Sequence, residues 1–450
     1  MRNVKDYGAK GDGITKDTGA IQKAIDEGGI VCFPPGIYLT GTLYLKSNGG
    51  LHLETGAVLL ASPDSEDYNQ DDFCSQNPRF YREHVSGAHL IVAVEQENIT
   101  LSGTGKIDGN RQSFYGDKTE PDCEEHNGKF SREELKNGWR PAQMLFITEC
   151  KNIKIRDLNL YNAPYWTCMI YGCEDVQISG LRILNDQRTH NGDGIDIDCC
   201  RRVTISDCII DSGDDCITLR GDPSRLKNKI PCEYVTVTNC ILHTNCNALR
   251  IGVGNGIVRN AVFSNLVINR SRTGIAIISN YLAAPERGVD ISNISFSGIQ
   301  METVNPVLIL SNVNGATPEG AAKTIRDISF RHIRGTFNEH NAICGCAGTG
   351  IKNISFEDIE LECTGSRKPH SDDIKGPYGE WSKTQTRGAF YVAHAQDVRF
   401  CGVRIHWNDM PDWQYGLIAY NSADIFTDRC AFGKPLNIDS ESSTDTADQN

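Results

Sequence analysis

The chain has 450 residues, 39% of them hydrophobic and 23% charged, with a formal net charge of −13. That composition supplies ample core for a folded body but no basic patch, which excludes a nucleic-acid surface and a polybasic membrane contact. An acidic body has no long-range attraction for a polyanion, so any acidic substrate must be held by local cations.

The chain opens MRNVKDYGAKGDG, without an apolar run of signal-peptide type, and no stretch of about 18 apolar residues follows. As it stands it reads as cytoplasmic, or as a secreted chain whose leader has been removed. The first predicted element is a helix in TKDTGAIQKAIDEGG, capped by Asp17 or Thr18, with Ala20, Ile21, Ala24 and Ile25 at helical spacing and Gly28-Gly29 as its stop. Such a helix covers the open end of the repeat that follows, where strand edges are otherwise unpaired.

From NITLSGTGKI onward one pattern recurs: NIKIRDLNLY, DVQISGLRIL, RVTISDCIID, YVTVTNCILH, NAVFSNLVIN, NISFSGIQME, DISFRHIRGT, NISFEDIELE, DVRFCGVRIH. Each copy is a polar residue, a short alternating strand, a small turn and a second short strand. Taking Ile153, Val176, Val203, Val235, Ala261, Ile294, Ile328 and Ile354 as equivalent, the intervals are 23, 27, 32, 26, 33, 34 and 26 residues, the period of a solenoid. No sustained 3.6-residue periodicity lies between the strands, which disfavours helical and leucine-rich repeats and predicts a parallel β-helix with loops of varied length. Residues 1–438 read as one β-helix domain and the polar, acidic 439–450 as a disordered tail. The inserts Ser62–Ser86 and Asn110–Gly138 are long for turns and are candidate cleft walls.

The segment Asn191–Cys216, NGDGIDIDCCRRVTISDCIIDSGDDC, carries Asp193, Asp196, Asp198, Asp207, Asp211, Asp214 and Asp215 inside strand-forming text. Alternation points Ile195 and Ile197 inward and sends Asp196 and Asp198 to the other face; likewise Ile217 and Leu219 point inward while Asp214, Cys216, Thr218 and Arg220 point outward. Setting Ile195, Ile217, Leu249 and Ile275 in register makes Asp193, Asp215, Asn247 and Thr273 neighbours on successive rungs. Asp193 and Asp215 then form a vertical pair of like charges that favours a shared water or proton, with Asp214 displaced and reaching across. Asp207 and Asp211 read as turn residues instead. The 18 cysteines include no CxxC pair and sit largely in strand text, so they read as reduced, buried small hydrophobes.

NGDGID followed by GDDC, with Asp214 21 residues after Asp193, resembles glycoside hydrolase family 28, the polygalacturonase-like enzymes, whose usual text is NTDGID then GDDC. DYGAKGDGITKDTGAIQKAID, WRPAQMLFITECKNIKI and NAPYWT extend the resemblance over residues 6 to about 300. It implies an all-β, right-handed parallel β-helix and an inverting hydrolase of pectin-type or related galacturonan, rhamnogalacturonan or rhamnose-containing saccharides, with no metal or cofactor. It further implies Asp214 as general acid and Asp193 with Asp215 as the pair that activates water. The family's GHG is replaced by Cys246-Asn247-Ala248, and its RIK, whose Arg and Lys bind a galacturonate carboxylate, by Ala276-Ile277-Ile278.

That makes this a specificity variant. Asn247, Arg250, Arg220, His190 and Tyr281 are the candidate substrate contacts, Arg250 and Arg220 either replacing the lost charge or pairing with the nearby acids. Tyr165-Trp166 reads as core packing ahead of sugar stacking. The competing functions are a β-helix polysaccharide lyase and a non-catalytic carbohydrate-binding solenoid; all three take a saccharide as partner.

Overall fold

The computed structural model describes residues 1–77, 85–116, 135–280, 288–312, 323–346, 350–365, 387–410 and 412–439. Tyr281 and the predicted tail from residue 440 onward lie outside them. A coil of the first unit holds three short strands, one more than the two written in the repeat pattern, and in part of the second unit they run together, as in Ile257–Asn280. One such coil is Cys168–Tyr171, Glu174–Ser179 and Arg182–Leu184, and the next is Ile195–Asp198, Arg201–Ser206 and Ile209–Ser212, paired with it in parallel throughout. The strand outside the repeat pattern is the one written as LFIT, CMIY and IDID, whose later copies IDID, ITLR, ALRI and IAII the alternation sets in register.

The expected register is met. Ile153 pairs with Val176 and Val176 with Val203, while Ala261, Ile294, Ile328, Ile354 and Val398 form a second line, all buried. The polar residue opening each repeat sits in the left-handed region, as at Asn98 (φ 60°), Asn152 (φ 55°), Asp175 (φ 59°) and Asn293 (φ 55°). Asn and Asp tolerate that conformation best after Gly. There the amides also stack: Asn152 Nδ2 donates to Asn98 Oδ1 at 2.7 Å and Asn98 Nδ2 to Asn48 Oδ1 at 2.7 Å.

The chain divides into two compact units. The first comprises Met1–Thr218, Pro223–Ile230 and Val235–Cys246; the second comprises Leu219–Asp222, Pro231–Tyr234 and Asn247–Asn450. In the first, the helix Thr18–Asp26 buries Ile21, Ala24 and Ile25 on the opening strands. Asp17 is the N-cap residue, one of the two expected, but neither its side chain nor that of Thr18 makes a capping bond. The Asp17 carboxylate accepts the Lys10 and Gly11 amides at 2.7 and 2.9 Å, and Thr18 Oγ1 accepts the Gly41 amide at 2.9 Å, because the neighbouring loops compete for these oxygens. The second unit is filled by a ladder of Phe263, Phe296, Phe330, Phe356 and Phe400, ring centroids 4.7–5.3 Å apart and nearly parallel.

The described cysteines are free thiols, mostly buried. Cys150, Cys173 and Cys200 form a ladder in which the Cys150 and Cys173 amides each donate to the next sulfur at 3.3 Å. Among the described residues no helix is long and apolar enough to cross a membrane.

Candidate active site

The third strands of the first unit end level with one another: Asp108, Tyr161, Leu184, Asp211 and His243 share a line. The turns that follow therefore stack into one column, built from residues 109–116, 162–167, 185–194, 212–216 and 244–246. All three aspartates of NGDG and GDD stand on it.

Backbone bonds from Gly194 N to Asp215 O (2.8 Å) and from Ile195 N to Cys216 O (2.9 Å) set Asp193 level with Asp215, as the pattern predicts. Two glycines make that approach possible. A Cβ on Gly194 would stand 2.4 Å from Cys216 O, and one on Gly213 would stand 2.5 Å from Thr189 O and 2.8 Å from Asp186 O. The turn is fixed by hydroxyls: Ser212 Oγ donates to Asp214 O at 2.8 Å, Thr244 Oγ1 donates to the same carbonyl, and Cys246 N donates to Thr244 Oγ1 at 3.0 Å.

Asp193 and Asp215 are buried, 4% and 9% exposed, and Asp214 is half-buried. Two expectations are corrected here. Asp214 does not stand off from its neighbour: carboxylate oxygens of Asp214 and Asp215 and the Cys246 sulfur all lie within 4.8 Å of one another. Nor does Cys216 point outward; it is fully buried, with its sulfur 3.3 Å from His243 O and accepting Ser212 Oγ at 3.2 Å. Residues 213–216 precede the strand Ile217–Gly221, and pleat alternation does not govern a turn.

The outward strand face is also under cover, since Asp196 and Asp198 are 0% and 2% exposed. Asp207 (φ 58°) accepts Asn239 Nδ2 at 3.3 Å and serves its turn as read, whereas Asp211 stands in the strand Ile209–Ser212, 2.9 Å from His243 Nδ1. Tyr165 and Trp166 are buried and stacked at 5.3 Å, with the Arg140 guanidinium 4.8 Å from the Tyr165 ring, which makes them packing residues. His190 is half-buried, and its carbonyl accepts Arg140 Nη1 at 2.6 Å.

Arg220, Asn247 and Arg250 belong to the second unit and are buried there, Asn247 level with Thr273 and Arg250 level with Ala276. Ala276 and Ile278 lie in an apolar cluster with Leu310, Ala342 and Tyr391.

Sequence reasoning passed over two features of the first unit. Cys246 faces both acids, although its neighbour Asn247 was the residue singled out in that tripeptide. Its sulfur beside two carboxylates makes a mixed donor set: hard oxygens suit Mg²⁺ or Ca²⁺ and a soft thiolate suits Zn²⁺, so the three together fit no single ion well. The inserts are the other. Trp139 packs on Tyr68 and Phe114, each at 5.6 Å, and Arg140 reaches Tyr115 OH, Pro164 O and His190 O, tying the second insert to the aspartate turns. Insert loops carry no periodicity, so nothing in the text announces these contacts.

The fold places the chain among the parallel β-helix solenoids. Residues 75–380 match the family model "Glycosyl hydrolases family 28", and residues 1–51 match "Rhamnogalacturonase A/epimerase, pectate lyase-like". The chain is 28% identical to a probable polygalacturonase of Vitis vinifera over 74% of its own length and 68% of that protein. It is 26% identical to the exo-poly-alpha-D-galacturonosidase of Dickeya chrysanthemi over 83% and 69%. Among solved structures it superposes on a hyperthermoactive exopolygalacturonase from Thermotoga maritima (TM-score 0.66, 25% identity, 80% and 86% covered). The family 28 exopolygalacturonase of Yersinia enterocolitica, 19% identical, gives a TM-score of 0.71 over 95% of this chain and 77% of that one, a likeness of fold. The chain belongs to glycoside hydrolase family 28: it is an O-glycosyl hydrolase built as a right-handed parallel β-helix.

Proposed function

We propose that this hydrolase cleaves glycosidic bonds in pectic saccharides by single displacement with water, inverting the anomeric carbon. The observation that carries the reading is the convergence of Asp193, Asp214 and Asp215 on one turn column of a family 28 chain. In this reading Asp214, the least enclosed of the three, protonates the leaving oxygen, and Asp193 with Asp215 holds the attacking water. Inverting sites generally set acid and base about 6.5–9.5 Å apart. Because Asp214 lies within 4.8 Å of Asp215, the weight of the base role falls on Asp193, one coil away.

The names of the Dickeya and Thermotoga proteins support an exo mode, in which cleavage proceeds from a chain end. With Ala276 and Ile278 unable to bind a carboxylate, the substrate includes pectic chains recognised differently from plain galacturonan, rhamnogalacturonan among them. Asn247, Arg250, Arg220, His190 and Tyr281 remain the sugar contacts proposed on sequence grounds.

Proton NMR of the first product tests the mechanism. The inverted anomer is expected before mutarotation, and a retained anomer defeats the reading. A panel of galacturonan, rhamnogalacturonan fragments and aryl rhamnosides, with product sizing, then assigns the sugar and the cleavage mode.

A further inference from the structure

Cys208 and Cys240 stand on neighbouring rungs of the first unit, each directly after a corner residue in the left-handed region, Asp207 (φ 58°) and Asn239 (φ 55°). The amides that follow these corners run down one ladder: Arg182 N donates to Leu158 O at 3.1 Å, Ile209 N to Leu181 O at 2.9 Å and Ile241 N to Cys208 O at 3.0 Å. Leu158, Leu181, Cys208 and Cys240 therefore form one inward line, all buried. In the second unit the residue after the corner reads Leu266, Ile299, Ile333 and Ile359. Thiols thus replace a branched aliphatic side chain on two successive rungs. Those rungs lead into the turns of Asp214 and Cys246, each cysteine standing six residues ahead (214 − 208 and 246 − 240).

Like corners project the two side chains in one direction. Cys208 Sγ donates to Ser206 O and Cys240 Sγ to Thr238 O, both at 3.2 Å, so the two thiols hold matching conformations. Neighbouring parallel strands set paired Cα atoms about 4.8 Å apart, inside the span of roughly 4.4–6.8 Å that a disulfide bridges. Hydrogen bonding with Cys240, then burial, raises the Cys208 thiol well above its ordinary value, and the same bond lowers Cys240 against the effect of burial. Cys240 is the sulfur that ionises first, and the thiolate is the form that attacks a disulfide. Both thiols lie just under the surface, between exposed neighbours: Asp207 and Ile209 flank one, Asn239 and Ile241 the other. The ladder of Cys150, Cys173 and Cys200 is set deeper, since burial raises its middle thiol and the flanking Gly172 and Glu174 are half-buried.

We propose that Cys208 and Cys240 are a disulfide-forming pair, a covalent staple between the rung of Asp214 and the rung of Cys246 that closes when the protein meets a low-molecular-weight disulfide. The Cys240 thiolate attacks one sulfur of that disulfide and releases the first small thiolate; the Cys208 thiolate then attacks the Cys240 sulfur and releases the second. One small S–S bond is exchanged for one protein S–S bond, and the two cysteine protons pass to the released thiolates. Closure gives up the thiol bonds to Ser206 O and Thr238 O, which are weak because a thiol is a poor donor. The ring it makes spans residues 208–240 and contains Asp214 and Asp215, so the staple restrains the backbone that carries both.

The unmodified full chain, incubated with oxidised glutathione, quenched by alkylation and digested without reductant, is expected to yield a peptide pair joined through Cys208 and Cys240 as its main cross-link. Dithiothreitol should return both thiols. Calorimetry of the oxidised protein should give a Tm about 2–4 °C above that of the same sample after dithiothreitol. Cys240→Ala is expected to remove the cross-link and the gain together, and Cys150→Ala to keep both. Alkylatable thiols at both positions after oxidation, glutathione retained on either one, or a main cross-link through Cys150, Cys173 or Cys200 overturns the pair. A Cys208–Cys240 bridge that leaves Tm unchanged or lowers it overturns the staple. These measurements need no saccharide, so their failure and that of the hydrolase reading are separate.

Discussion

The outer face of the strands carries different chemistry in each of the two units. In the first unit, the outer residue between core isoleucines reads Phe146, Met169, Asp196 down successive coils, and two residues on Thr148, Tyr171, Asp198. In the second it reads Arg250, Ala276, Leu308, Ala342, Tyr391, Ile418. Asp196 and Ala276 are equally hidden from solvent, yet the first line passes from the apolar Phe146 and Met169 to an acid, and the second passes from Arg250 to an apolar cluster. Parallel stacking thus fixes where side chains stand and leaves their chemistry open, so the first unit can carry reaction groups while the second carries packing.

Variants can break that contrast. Asp214→Asn is expected to lower turnover by about 10³-fold while leaving thermal unfolding nearly unchanged, measured by reducing-sugar release and calorimetry. Phe330→Ala should do the reverse. Removing the middle of the phenylalanine ladder costs about 3–5 kcal/mol of stability, with activity per folded molecule retained, as denaturant titration would show. Gly194→Ala joins both effects, because its methyl group forces the Asp193 and Asp215 coils apart. About 1–3 kcal/mol of stability should be lost together with turnover, and loss of stability alone would separate the coil spacing from the chemistry.

The smallest effect concerns pH. Burial pushes the Glu339 carboxyl up from 4.5 to about 7, against the pull of Arg387, and burial pushes His340 down from 6.5 to about 4, assisted by Arg387. Their 3.9 Å approach is therefore a contact of neutral groups between those values, not an ion pair. The folded state holds the Glu339 proton more tightly than the unfolded state, so this group's stability is complete below pH 4.5 and is lost as pH rises to about 7. His340 contributes the opposite slope, gaining stability from about pH 4 to 6.5. Melting curves of Glu339→Gln should rise across that range, and those of His340→Asn should fall.

Much of this was legible beforehand. The repeat positions from Ile153 to Ile354 fall on common lines, and Asp193 stands level with Asp215, because strand alternation and parallel stacking are periodic and periodicity is written in the text. The strand written as IDID was legible from Ile195 onward, while its earlier copies LFIT and CMIY were passed over, since they are buried on both faces and lack the alternation that marks a half-exposed strand. The approach of Asp214 to Asp215 was misjudged because it occurs in a turn.

The sequence by itself determined the coil, its register and the acids that share an edge, for these follow from residue spacing alone. Only the tertiary structure decided that Arg111 would bond Thr189, 78 residues away, that Arg140 would hold the His190 carbonyl, and that Cys246 would face two carboxylates. These partners lie in loops whose lengths differ from coil to coil. Stacking brings the loops together, and no spacing in the chain encodes where their side chains meet.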